Sequence, residues 1–288
     1  MMFISLVQRN SKLFLRDKLQ VFFSFLSVMI VIGLYVIFLQ KTQLDAIEAV
    51  VPLTTDIKVM VNEWMGRGLI SIVAVTTTLG VFGIYIRDLE TKTNVDFLTT
   101  AISRTSIQLS YCFSAFIIGF LLTFIAFLCC QIFLIATGGA WLSWLDTLQV
   151  IGIIILSVLL SSVLNLFIVL FISSQSAFAT VSTIVGTVIG FLCGVYIPIG
   201  ALPEFVQKII HFFPISHTTV LLRNVFMEDS INQVFPTAEV AKDYMFTFGV
   251  QYEINGTVIE PWLSVLFILA TIIIVGIVSA GVFAWRNK

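Results

Sequence analysis

Charged residues are scarce in this sequence. Asp, Glu, Lys and Arg together make up 11% of its 288 residues, whereas 59% are hydrophobic and the mean hydropathy is +1.07. Soluble domains are about a quarter charged and about half apolar, so a water-soluble fold is not expected. The net charge of −1 also argues against a general nucleic-acid binder.

Residues that commonly hold metals or perform catalysis are few as well. The sequence has two histidines, four cysteines and no phosphate-binding GxxxxGK[ST] motif. His211 and His217 are six residues apart, which does not match the i, i+4 spacing of two ligands on one helix face. The cysteines lie in apolar runs without a zinc-binding spacing. We therefore predict no catalytic residue, no metal site and no cofactor bound by this chain.

Long apolar runs dominate the chain. Six of them approach or exceed the roughly 20 residues that a helix needs to cross the hydrocarbon core. Because backbone groups in lipid must be satisfied within the segment, uninterrupted runs predict helices rather than barrel strands. The sequence thus predicts an all-α integral membrane protein, a single domain over residues 1–288, with spans at 21–39, 68–86, 111–137, 149–172, 178–199 and 262–285.

The distribution of charge predicts the orientation of these spans. With both termini in the cytoplasm, the inner segments hold nine of the 15 Lys and Arg residues but four of the 16 Asp and Glu residues, as the positive-inside rule requires. None of the six runs has an ionisable residue in its core. This absence argues against an ion-coupled pump and against a membrane-embedded hydrolase.

Two segments at the predicted cytoplasmic side have distinctive patterns. Residues 1–20 interleave apolar side chains with Arg9, Lys12 and Arg16, which is typical of an amphipathic helix lying in the membrane interface. A simple charged stop signal is the alternative. Residues 87–109 form an inner loop in which charges surround Phe97 and Leu98, and this loop is longer than a plain connection between two spans needs.

The predicted outer segment, residues 200–261, is also patterned. It contains two short helical stretches punctuated by Pro203 and Pro214, too short to cross a membrane, which predict a re-entrant helical hairpin. The preceding span is expected to bend near Pro198. Further on, Asn255-Gly256 lies between two β-prone runs and predicts a small β-hairpin.

Small and mildly polar residues within the spans suggest contacts between helices. Gly186, Gly190 and Gly194 recur every four residues, a spacing that lets a second helix approach closely. These glycines either pack statically against another helix or belong to a helix that slides against, or faces, a second subunit. Thr77 and Asn165 either hydrogen-bond between helices or line a pathway for an amphipathic substrate.

Residues 193–227, CGVYIPIGALPEFVQKIIHFFPISHTTVLLRNVFM, resemble the type-2 ABC transporter permeases. The fifth helix of that family runs into a Gly, Pro, Leu-Pro, Pro-x-Ser/Thr and Leu-Arg pattern. The matching positions are Gly194, Pro198, Leu202, Pro203, Pro214, Ser216, Leu222 and Arg223. The segment DLETKTNVDFLTTAISRTSIQLSY is similar to the family's loop after the second span. With the count of six helices, the resemblance covers essentially the whole chain.

The resemblance implies a permease subunit in the bacterial plasma membrane. It would pair with a second permease chain, identical or homologous, and with two copies of a cytoplasmic ABC ATPase that bind ATP and Mg²⁺. The expected cargo is a drug, an antimicrobial peptide or a lipid-like molecule. Alternatives are a permease for a polysaccharide or lipid-linked polymer, a sensor or assembly subunit, and a membrane-embedded transferase.

The resemblance also assigns residues to two tasks. Contact with the ATPase would use the amphipathic start and the inner loop, through Arg9, Arg16, Asp88, Glu90, Asp96, Phe97, Leu98 and Arg104. Translocation and gating would use the small and bend-forming residues together with two polar ones, Gly186, Gly190, Gly194, Pro198, Pro203, Pro214, Thr77 and Asn165.

Overall fold

The computed structural model describes residues 2–48, 52, 54–100, 102–235, 237–254 and 257–286. Helices make up most of these ranges. In chain order they are α1 (Met2–Arg16), α2 (Lys18–Leu34), a π-helical segment (Tyr35–Leu39), α3 (Gln40–Glu48), α4 (Thr55–Glu90), α5 (Thr93–Leu98), α6 (Arg104–Ala136), α7 (Trp144–Val169), α8 (Gln175–Leu192), a 3-10 turn (Ile199–Ala201), α9 (Glu204–Phe212), α10 (Pro214–Val234), α11 (Ala238–Thr247) and α12 (Pro261–Arg286). Two short strands, β1 (Glu253–Ile254) and β2 (Thr257–Val258), precede α12.

Five helices in the described part of the chain are long and apolar enough to cross a membrane, namely α4, α6, α7, α8 and α12. They correspond to the second to sixth predicted spans, and an all-α membrane protein fits them. The predicted first span falls on α2 and the π-helical segment. This stretch is not among the five helices, so the sixth crossing stays a prediction.

Helix α4 lies at the centre of the bundle and packs against α2, α6, α7, α8 and α10. It begins earlier than predicted, at Thr55 rather than residue 68, because Met60, Val61 and Trp64 are fully buried. Its start is capped by Thr54, whose hydroxyl accepts from the amide of Ile57 at 3.3 Å. At 36 residues it is roughly 54 Å long, so one helix joins both ends of the bundle.

The fifth predicted span ends earlier than expected. Helix α8 stops at Leu192 and not at residue 199. Gly194 has a φ of +59°, and the amide of Val195 donates back to the Gly190 carbonyl at 2.9 Å, which is the usual way a glycine ends a helix. The chain therefore turns several residues before Pro198, the predicted bend, and Pro198 precedes the 3-10 turn.

The outer segment contains two helices that start at prolines, as the sequence pattern indicates. Pro203 precedes α9 and Pro214 is the first residue of α10, where a missing amide hydrogen does no harm. At 21 residues, α10 is longer than predicted, and it packs against α4, α7 and α12. Helix α11 was not predicted.

The small β element follows α11. Strands β1 and β2 are antiparallel, with Ile254 opposite Thr257. The predicted turn residues, Asn255-Gly256, lie outside the described residues.

Candidate functional site

At the predicted cytoplasmic end, four side chains join α1, α4, α5 and α6; we call them the inner cluster, Arg9, Asp88, Phe97 and Tyr111. The guanidinium of Arg9 binds both carboxylate oxygens of Asp88, with Nη2 2.9 Å from Oδ1 and Nη1 paired with Oδ2. The Tyr111 hydroxyl donates to Asp88 Oδ2 at 2.7 Å. Arg9 also lies over the Phe97 ring, 5.1 Å from its centroid.

The electrostatics of the inner cluster depend on Asp88. Its side chain is 3% exposed and that of Arg9 is 30% exposed, so the carboxylate has lost nearly all contact with solvent and needs both partners. The hydrogen bond from Arg9 to Asp88, aided by the charge of that carboxylate, raises the pKa of Arg9 despite partial burial. The two-point contact between Arg9 and Asp88 fixes α1 to the end of α4.

The other residues predicted to contact an ATPase are placed differently. Glu90, Asp96, Arg104 and Arg16 are exposed, and the side chain of Leu98 lies outside the described part of the structure. Thus Arg9, Asp88 and Phe97 come together, whereas the other charges remain at the surface. The sequence analysis did not single out Tyr111. It lies about two turns after the start of α6, and nothing in the sequence indicates that its hydroxyl contacts Asp88 of α4.

At the predicted outer end, a second group of contacts gathers around Arg223 of α10; we call Arg223, Trp64, Gly194, Phe248 and Gly249 the outer cluster. The fully buried guanidinium donates to the carbonyls of Gly194 at 2.9 Å, Phe248 at 3.0 Å and Gly249 at 3.4 Å. It stacks on Trp64, 4.4 Å from a ring centroid.

The outer cluster connects the ends of two helices to α4. Gly194 and Gly249 follow the ends of α8 and α11, and both have a positive φ. A cation at these free carbonyls complements the negative ends of the helix dipoles. The Trp64 indole donates to the Phe248 carbonyl at 2.6 Å, so α11 is held to α4 by a second contact.

Two further ionisable residues lie within α4, in the part of the helix that precedes the predicted span at 68–86. Arg67 is 1% exposed and its guanidinium carbon lies 3.1 Å from the centroid of the Phe226 ring. Its Nη2 donates to Gln131 at 3.3 Å. Glu63, one turn earlier, accepts from Ser230 at 2.8 Å. The apolar residues around Glu63 and Arg67 recur at helical spacing, which could have indicated that the helix includes them. A hydropathy average over a window hides this spacing.

The two polar residues predicted to line a pathway face separate cavities. Thr77 borders an open groove of about 330 Å³ beside α2, and its hydroxyl donates to the Val73 carbonyl at 2.6 Å. Asn165 borders an apolar cavity of about 240 Å³ between α7, α8 and α10. Its amide donates to the Val75 carbonyl at 2.9 Å and to Thr78 at 2.8 Å. Within one chain, the two residues do not share a pathway.

The three glycines of the predicted stripe also have three different surroundings. A Cβ at Gly186 would meet open space, whereas at Gly190 it would collide with the ring of Tyr196. Gly194 lies beyond the end of α8. Within the chain the glycines therefore do not form one continuous helix-contact face, and a contact with a second subunit through Gly186 stays a prediction.

The apolar helices and their arrangement define a multi-pass, all-helical membrane protein. The sequence profile of the ABC-2 type transporter family matches residues 1–227, which is most of the chain. The chain belongs to that family, and the resemblance noted in the sequence is confirmed. It is a permease component of an ABC transporter, a kind of subunit that associates with an ABC ATPase and generally lacks an ATPase site of its own. A search of curated proteins finds no match to the chain.

Proposed function

We propose that the chain is the membrane-spanning subunit of a bacterial exporter, which moves an amphipathic substrate out of the cell with energy from separate ATPase subunits. In the complete transporter, two ATPase copies bind ATP and Mg²⁺ at the cytoplasmic side of two permease chains. The observation that carries this proposal is that α4 contacts the inner cluster through Asp88 near its last turn and the outer cluster through Trp64, which lies 24 residues earlier.

Helix α4 offers a direct mechanical connection between the two sides. Asp88 anchors α1 and α6 near its last turn, and Trp64 contacts Arg223 near its start. Because the helix is densely packed along its length, a displacement of its inner end moves the whole element rather than being absorbed locally. Such a displacement acts on the carbonyl contacts that hold α8 and α11 in the outer segment.

The surface around α5 has the composition of a docking site for the ATPase. Val95 is 49% exposed, and Phe97 is half-buried against Arg9. The exposed charges Glu90, Asp96 and Arg104 surround this apolar centre. An apolar centre within a polar rim is the usual arrangement of protein interfaces.

The cavity between α7, α8 and α10 supports an amphipathic substrate. Its walls are aliphatic and aromatic side chains, and Asn165 is the polar residue among those that line it. Apolar walls with a single polar group suit a molecule with a hydrophobic body. They offer few partners to the hydroxyl groups of a polysaccharide, which is the competing cargo.

The proposal is tested by replacing Phe97 with Ala in the reconstituted permease–ATPase complex. We expect substrate-stimulated ATP hydrolysis and transport to fall together by about fivefold or more, since a buried interface anchor contributes above roughly 1 kcal/mol. Phe205→Ala is the matched control, because Phe205 is 73% exposed on α9 in the outer segment. Undiminished hydrolysis and transport in Phe97→Ala would place the coupling elsewhere.

A further inference from the structure

Helix α1 presents three distinct faces. Leu6, Val7, Asn10 and Phe14 are buried against the bundle. Ile4 and Leu15, 60% and 47% exposed, lie together on a second face. The third face is polar: Arg9 at its edge reaches back to Asp88 of α4, whereas Lys12 and Arg16 are exposed. Protein covers the first face and the second suits the hydrocarbon of a membrane, whereas Lys12 and Arg16 on the third have no ion-pair partner among the described residues.

The polar face forms an open groove that is rich in cations. Its volume is about 340 Å³, and its lining is Ser5, Gln8, Arg9, Lys12, Leu13 and Arg16. Arg9 is neutralised by Asp88. Lys12 and Arg16 are exposed, one turn apart, and no carboxylate of the described residues lies within ion-pair distance of either. The groove thus carries two uncompensated positive charges.

The angles between the faces place these charges at a particular depth. At 3.6 residues per turn, Lys12 and Arg16 project roughly a quarter turn from Ile4 and Leu15. When Ile4 and Leu15 enter the hydrocarbon, the two cations extend sideways, parallel to the membrane surface and away from the bundle. This is the depth of the lipid phosphates rather than that of a soluble protein below the membrane.

We propose that this groove binds the phosphate headgroup of an anionic phospholipid of the cytoplasmic leaflet, with phosphatidylglycerol as the representative. Lys12 and Arg16 bind the phosphate, Gln8 offers a polar contact, and the acyl chains pass along Ile4 and Leu15. The assignment depends on the proposed function only for the side of the membrane on which α1 lies. It removes Arg16 from the predicted ATPase contact.

The test uses the full-length permease in detergent, titrated with phosphatidylglycerol or phosphatidylcholine while bound lipids are counted by native mass spectrometry. We expect tighter binding of phosphatidylglycerol. The double variant Lys12→Gln/Arg16→Gln should weaken the tightest phosphatidylglycerol site about 25-fold, since each cation near an anionic membrane contributes about fivefold. Lys12→Arg should retain wild-type affinity, and high salt should weaken the wild type more than the double variant.

Arg87→Gln/Arg104→Gln is the control, because it removes two exposed cations from the same end of the bundle. An equal loss in this control would show general electrostatic attraction and contradict a defined site, as would equal binding of the two lipids. Competition by millimolar inorganic phosphate would mean that a free anion is the ligand. Retained lipid binding with lost copurification of the ATPase in Lys12→Gln/Arg16→Gln would show that this face docks the ATPase. Lipid binding is measured on the permease alone, whereas Phe97→Ala is tested in the complex with the ATPase. A negative result for the lipid site is therefore distinguishable from a negative result for the proposed function.

Discussion

Asp88 shows how one buried charge can fix the relative positions of several elements. The carboxylate is nearly inaccessible to water and is satisfied by side chains from α1 and α6. A charge in such a position is destabilising unless each partner is present. Asp88 therefore holds α1, α4 and α6 together at the predicted cytoplasmic end and is not a free surface charge.

Replacing Arg9 with Met should destabilise the protein strongly, because Asp88 would remain buried without its cation. Removing one member of a buried pair typically costs about 3–5 kcal/mol, and we expect the lower end since Arg9 is partly exposed. Adding Asp88→Asn to Arg9→Met should recover part of the loss. Thermal unfolding of the purified permease in detergent measures the loss of stability in Arg9→Met and its recovery in the double variant. Equal stability of Arg9→Met and the wild type would contradict the role of Arg9 as the partner of Asp88.

At the scale of elements, hydropathy located five helices correctly but misjudged three of their boundaries, namely the starts of α4 and α6 and the end of α8. It missed residues 55–67 of α4 because Glu63 and Arg67 lower the local average, although Trp64 and Met60 are buried. It extended α8 to residue 199, since the apolar run continues after Gly194 has already reversed the backbone. The error in α4 arises because contacts distant in sequence decide the structure there, whereas the end of α8 is set by the local backbone conformation at Gly194.

The two candidate clusters were predictable to different degrees. The sequence placed Arg9, Asp88 and Phe97 at one end, because the positive-inside pattern and the charged loop indicate a common side. It could not show that Arg9 pairs with Asp88, a contact between residues 79 positions apart. The role of Arg223 depends on carbonyl groups of two helix ends, which no pattern of side chains reveals.

Substitutions in α8 should distinguish its two helical glycines. Gly190→Ala should destabilise the protein, because the added methyl group would collide with the Tyr196 ring, whereas a methyl group at Gly186 meets open space. Gly186→Ala should be neutral or stabilise by up to about 1 kcal/mol, as alanine favours helices over glycine. Thermal unfolding of the two variants gives the comparison. Equal effects at the two positions would show that the Tyr196 contact does not matter.

The whole molecule is organised as two polar clusters separated by an apolar bundle and joined through α4. This arrangement depends on the ends lying on opposite sides of the membrane. Cysteines introduced at the exposed positions Asp45 and Glu239 should react with a membrane-impermeant thiol reagent on intact cells, whereas one at Lys92 should react only after permeabilisation. The unmodified chain, with its native cysteines, is the control. Labelling of Lys92→Cys on intact cells would reverse the proposed orientation.

The central claim is that nucleotide binding by the ATPase is transmitted along α4 to the outer segment. Hydrogen exchange of residues 238–254, measured on the reconstituted permease–ATPase complex with and without a non-hydrolysable ATP analogue, tests it most directly. We predict that the nucleotide changes exchange in this segment of the wild type and that Phe97→Ala abolishes the change, while the Phe205→Ala control retains it. Identical exchange with and without nucleotide in the wild type, or an undiminished change in Phe97→Ala, would contradict the claim.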